Sequence, residues 1–176
     1  MSEVKKESAK ERAKKELNIA EVAAKRLSYR SRTSQELKMY LEEKGFEEEL
    51  INQTIQEFKD IGYLDDERFA KDYFRYAAGK GWAKARTVRE LRRKGIPQEM
   101  AESAHEEYLE EFGETDEEAA VNVARKMLKA DMLDERGRLI EKYKARVARR
   151  LFNYGYSTSQ IYSAINQVIS ELTDEQ

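Results

Sequence analysis

A leucine four residues before a glycine that is itself followed by an aromatic or aliphatic residue occurs three times, as LEEKGF at 41–46, LRRKGI at 91–96 and LFNYGY at 151–156. The glycines Gly45, Gly95 and Gly155 stand 50 and 60 residues apart. Glycine after a helical run marks the point where the backbone leaves a helix left-handed, because a Cβ there would clash with the preceding turn. Ten residues beyond the three glycines come Ile55, His105 and Ile165, and thirteen beyond come Phe58, Tyr108 and Val168. That spacing places each pair on one helix face, turned toward a core. Each glycine therefore joins two antiparallel helices.

An amphipathic segment precedes every hairpin: AEVAAKRL at 20–27, ERFAKDYFRYAAG at 67–79 and AAVNVARKML at 119–128. Helix starts are signalled by Pro97, by Ser157 with Gln160 and by Thr33 with Glu36, the last two pairs at capping-box spacing. One proline and eight glycines in 176 residues leave few places where a helix must stop. The expected fold is all-α: a charged extension over 1–17, then three tandem three-helix repeats over 18–64, 65–113 and 114–176. A three-helix unit of this size buries little by itself, so neighbouring repeats must help.

The net charge of −2 hides a segregation. Residues 42–67 hold ten acidic and two basic side chains, and 80–94 hold seven basic and one acidic. The alternation then repeats, with ten acidic and no Lys or Arg over 98–118 and seven basic to one acidic over 136–150. On a helix turning about 100° per residue, Val88 and Leu91 face inward while Arg86, Arg89 and Arg93 form an outward stripe. In the third hairpin Ile140, Tyr143, Val147, Leu151 and Tyr154 share the core face, and Arg138, Lys142, Arg146 and Arg149 the opposite one. Arginine forks grip carboxylates and phosphates, so these stripes, with Lys80 and an exposed Trp82, are the candidate contacts for a protein partner or DNA.

Catalysis finds little to work with. There is no cysteine, the single histidine His105 falls where the other repeats carry isoleucine, and Gly79 and Gly81 flank Lys80 without a phosphate-loop motif. The acidic run Asp65, Asp66 and Glu67 in GYLDDERFAKDY could in principle hold a metal, but it reads as the start of a helix. Asp65 or Asp66 caps that helix, and Phe69, Tyr73 and Ala77 run along its core face. A similar string, DMLDER at 131–136, lies at a different offset from its repeat glycine and is not a second copy of the site. No metal, cofactor or catalytic residue is expected. Without an apolar segment of membrane-span or signal-peptide length, a cytoplasmic protein is expected, and the absence of a spare apolar stripe favours a monomer.

These residues resemble the RecX family of RecA regulators. The similarity is carried by RLSYRSRTSQELKMYLEEKGF at 26–46, GYLDDERFAKDYFR at 62–75, KGWAKARTVRELRRKGI at 80–96 and RRLFNYGYSTSQI at 149–161. It covers about residues 18–172. Trp82 and Ala83 stand where the family commonly has Gly-Pro, and residues 1–17 have no counterpart. The resemblance implies three three-helix repeats in a curved, elongated arrangement. It further implies a non-enzymatic protein of recombination, DNA repair and the SOS response that binds RecA-type recombinase, above all its filament on DNA. Such a protein would mainly suppress ATP hydrolysis, strand exchange and co-protease activity; weak direct DNA contact is expected besides, since the net charge and the interleaved acidic blocks weigh against strong unaided binding. Two alternatives remain open: direct DNA binding through the basic helices, and a generic helical scaffold.

Overall fold

The computed structural model describes residue 15 and residues 18–174, so the extension expected over 1–17 lies, Lys15 apart, outside the described residues. These residues form nine α-helices: α1 over 18–28, α2 Ser34–Glu43, α3 Glu48–Asp60, α4 Asp66–Gly79, α5 Lys84–Arg93, α6 Gln98–Phe112, α7 Asp116–Met127, α8 Glu141–Tyr154 and α9 Thr158–Asp174. A 3-10 turn occupies Ala130–Met132, and among the described residues the only β pairing is an isolated bridge between Leu133 and Leu139. The all-α expectation holds. By compactness the described residues divide into one unit up to residue 70, together with 93–97, and another of 71–92 together with the residues from 98 on.

The first unit is built around Ile19, Ala23, Leu37, Leu41, Ile51, Phe58 and Leu64. Thr33 and Glu36 form the expected capping box at the head of α2. At its other end Gly45 takes φ +81°, its N–H donates to Glu42 O, and that of Phe46 donates to Leu41 O. The chain thus reverses into α3. Asp65 caps α4, accepting the Arg68 N–H at 2.8 Å. Asp66, one residue on, does something else: its carboxylate accepts the Ser34 N–H at 2.8 Å, in the first turn of α2, and pairs with Lys59 at 3.4 Å. The Thr33 hydroxyl donates to the carbonyl of Lys94, and Gly95 lies so close to Gln35 that a Cβ would collide with that side chain.

Glu36 also bridges Lys94 at 3.0 Å and Arg30 at 3.4 Å. Burial works against its charge, but the Lys94 hydrogen bond and the two cations outweigh it and hold the carboxyl below its ordinary range. A carboxylate depressed in the folded state adds stability above its unfolded pKa and loses it as pH falls through the folded one. Glu36→Gln keeps the capping box but removes the charge. It should cost about 1 kcal/mol at pH 7, and that cost should shrink as pH falls through the folded-state pKa and the carboxyl protonates, measured as urea midpoints over a descending pH series.

The second unit repeats these contacts on another pair of elements. Asp116, at the start of α7, accepts the Lys84 N–H at 2.9 Å in the first turn of α5, as Asp66 does for Ser34. Ser34 and Lys84 are fifty residues apart in the sequence, as are Asp66 and Asp116. The carbonyl of Tyr154, preceding Gly155, accepts from Ala83 N–H at 2.9 Å, as that of Lys94, preceding Gly95, accepts from Thr33. The core is Ala83, Ala120, Val121, Ala124, Leu128, Val147, Leu151, Tyr156, Ile161, Ala164, Ile165 and Val168. Ser157 and Gln160 form the expected box at the head of α9. Removing the cross-repeat cap by Asp116→Ala should lower stability by about 1 kcal/mol without loss of helix content, read by thermal unfolding under circular dichroism.

Three expectations are corrected in register. On α4 the buried residues are Ala70, Phe74 and Ala77, while Phe69 and Tyr73 are half-buried. The core face thus lies one residue on from the expected row at Phe69 and Tyr73. On α5 the inward pair is Thr87 with Leu91, Val88 being half-buried. Thr87 satisfies its hydroxyl by donating to Ala83 O at 3.0 Å. Ile140 is not in the core: it precedes α8 and is 38% exposed.

Candidate partner interface

On α5, Arg89, Arg92 and Arg93 are exposed. Arg92 was missed by the sequence stripe, although three residues from Arg89 places it on the same side of the helix. Arg86 differs. Its guanidinium donates to Asn153 O at 2.6 Å and lies 3.8 Å above the centre of the Trp82 ring. Trp82, half-buried and edge-on to Tyr76 at 5.9 Å, is thus covered by Arg86 on one face and is not the exposed stacking platform expected of it. This pair holds the head of α5 against the end of α8. Lys80 is exposed and reaches over the Tyr76 ring at 5.6 Å.

On α8, Lys142, Arg146 and Arg149 are exposed at helical spacing, as expected, and Arg150 flanks them. The half-buried Tyr143 ring sits beneath two of these cations, 4.7 Å from Lys142 and 5.3 Å from Arg146. Phe152 adds an apolar ring that is 67% exposed. Arg138 does not belong to the stripe. It lies before α8, in a turn where Asp134 accepts the N–H groups of Arg136 and Arg138, each at 2.9 Å, and pairs with the Arg138 guanidinium at 2.9 Å. The Arg138 amide is the main reason that the Asp134 carboxyl is held below its ordinary range. DMLDER is therefore a turn and not a helix start, and its likeness to the acidic run at 65–67 is accidental.

His105 packs on Phe74 at 5.3 Å between ring centres, and its Nδ1 is buried without a hydrogen-bond partner among the described residues. Burial, then the neighbouring Lys84, pushes its pKa down, so the ring is neutral at pH 7. Asp116 is pushed up by burial, against the pull of the Lys84 amide. Among the described residues no three His, Asp or Glu side chains come together as a metal site, and no helix is long and apolar enough to cross a membrane.

Family models for the first and second three-helix domains of RecX match residues 21–58 and 65–104. A protein of Mycobacterium sp. (strain KMS) called Regulatory protein RecX is 34% identical over 152 residues, covering 85% of this chain and 79% of its own. The chain belongs to the RecX family. The Regulatory protein RecX of Bacillus licheniformis is 33% identical over 84% of this chain but only 54% of its own length. The fold of the family is shared as well. The crystal structure of RecX from Lactobacillus salivarius superposes with a TM-score of 0.71, at 22% identity, over 89% of this chain and 97% of that one. A second crystal structure of regulatory protein RecX gives 0.73 at 23% identity, over 95% and 80%. In this RecX chain, the helices that bear the exposed arginines are the first helices of the second and third glycine hairpins.

Proposed function

We propose that this RecX chain binds a RecA-type recombinase, above all its filament on DNA, and acts mainly as an inhibitor of its ATPase, strand exchange and co-protease activities in recombination and repair. It does so as a cytoplasmic monomer without chemistry or cofactor of its own, its modules being the three-helix repeats over 18–64, 65–113 and 114–176. One observation carries the reading beyond the family: Arg89 on α5, and Lys142, Arg146 and Arg149 on α8, are outward and enter no ion pair among the described residues. Cations left unpaired in a chain with this many carboxylates are free to meet an acidic partner, and charge complementarity governs encounter and register more than it governs raw affinity. The test is recombinase ATPase and strand exchange with the whole chain at saturation. Both should fall, and rates identical to those without the protein would remove the proposal.

A further inference from the structure

The chain's single histidine, His105 on α6, keeps one ring nitrogen idle: Nδ1 is buried and has no hydrogen-bond partner among the described residues. A bare lone pair tolerates such a place better than an N–H, whose lost solvation nothing would replace. The neutral ring is therefore assigned its proton on Nε2, and protonation adds a buried donor at Nδ1 that needs an acceptor. Charged and titratable groups reach the ring from the elements packed around it. Lys84 comes from α5, Glu114 and Asp116 from the head of α7, and Glu106 and Tyr108 from α6 itself. From α4 come the apolar Phe74 and Ala78, while its cations Lys71 and Arg75 are paired with Glu107 and Glu111 at 2.6 and 2.7 Å. Glu114 is already engaged by the Tyr108 hydroxyl and the Asn122 amide. Asp116 lines the same cavity as His105, and the Lys84 N–H, 2.9 and 3.2 Å from its two oxygens, is the one donor it meets among the described residues.

Two donors thus compete for one carboxylate once the ring is charged. We propose that His105 is an acid-operated release for α5: a proton from solvent makes its Nδ1 a donor that draws Asp116 off the Lys84 amide, while its charge repels the Lys84 ammonium. The head of α5, the helix that presents Arg89, is then left uncapped. The first repeat lacks the device. Ile55 holds the place of His105 there, so the matching cap, Asp66 on the Ser34 N–H, has no such competitor. The pH window follows from the directions already given. Burial and Lys84 make the folded ring take up its proton less readily than an unfolded one, which titrates near pH 6.5. Stability is therefore lost as pH falls through and below that value. Asp116, raised by burial, has the opposite sign and titrates in acid as a carboxyl does, so the histidine is read between about pH 8 and 5. The release needs no recombinase.

The test is an NMR titration of the whole chain over that range, following backbone amides together with the His105 ring protons, which no second histidine obscures. The Lys84 amide, held downfield by its carboxylate acceptor, should move upfield with the same midpoint as the His105 ring, while the Ser34 amide keeps its position. His105→Ile installs the residue of the equivalent places in the other repeats. It should abolish the movement of Lys84 and flatten the fall of the urea midpoint between pH 7 and pH 5. His105→Gln, which keeps a polar side chain without a titrating group, should do the same. The proposal is overturned if the Lys84 amide of the parent stays in place while His105 titrates, if it moves equally in either variant, or if Ser34 moves with it. The first and third of these are read on the parent chain, so they decide the matter even where a variant fails to fold.

Discussion

Replacing Gly155 by alanine should lower the free energy of unfolding by about 3 kcal/mol or more, whereas the same change at Gly45 should cost only about 1–2 kcal/mol. Both glycines end the first helix of a hairpin with left-handed backbone, φ +96° and +81°, so both variants carry the conformational cost of a Cβ there. They differ in what surrounds them. At Gly45 the added methyl meets nothing within 4 Å, while at Gly155 it falls 2.6 Å from the Cβ and 3.0 Å from the backbone N of Arg86. A flexible side chain could swing away, but the backbone of α5 cannot move without disturbing the Ala83–Tyr154 hydrogen bond and the packing beside it. Urea unfolding of the two variants under circular dichroism reads the difference directly. Equal losses would mean that the end of α8 is not seated on α5 as described.

The second large effect is functional. The triple variant Lys142→Glu, Arg146→Glu and Arg149→Glu should raise the concentration needed for half-maximal inhibition of recombinase ATPase at least tenfold, about 1.4 kcal/mol, with little change in melting temperature. All three side chains are exposed and without ion-pair partners among the described residues, and surface changes of this kind rarely disturb folding by more than about 0.5 kcal/mol. Arg86→Ala supplies the opposite case. Because its guanidinium is used on Asn153 O and Trp82, its loss should cost about 1–2 kcal/mol of stability while the folded variant still inhibits. Inhibition by the triple variant at the parent's concentration would show that the face of α8 is not the contact.

Arg86 and the exposed cations of α8 are set apart by contacts that short-range sequence rules do not encode. Local rules served well. The three glycines, the capping boxes at Thr33 with Glu36 and at Ser157 with Gln160, and the half-buried place of His105 all depend on residues within a few positions of one another or on a repeated offset. Rotation about a helix axis is less secure: on α4 and α5 the inward face lies one residue from the expected one, because the buried Ala70 and Thr87 carry less apolar signal than their half-buried neighbours Phe69 and Val88. Arg138 and Ile140 lie outside the helix altogether. The third repeat carries a longer connection, and the stripe was extended back through residues that form a turn around Asp134. Arg86 was indistinguishable from Arg89 in sequence, since only the carbonyl of Asn153, 67 residues away, separates a structural arginine from an exposed one. The same limit hid the second use of Asp66. The sequence marks it as a helix start, but its hydrogen bond to the Ser34 amide, 32 residues back, is a tertiary fact.

That bond has a consequence for the chain as it leaves the ribosome. The amide at the head of α2 has its carboxylate partner only once Asp66 has emerged, and the Thr33 hydroxyl meets its acceptor only after Lys94. The head of α5 waits in the same way for Asp116 and then for Tyr154. The first and second three-helix segments are therefore each completed by atoms synthesised after them, and a nascent chain stalled after either one exposes an unfinished helix end to solvent. Growth of native structure is tied to the direction of translation, with each newly released segment locking the one before it.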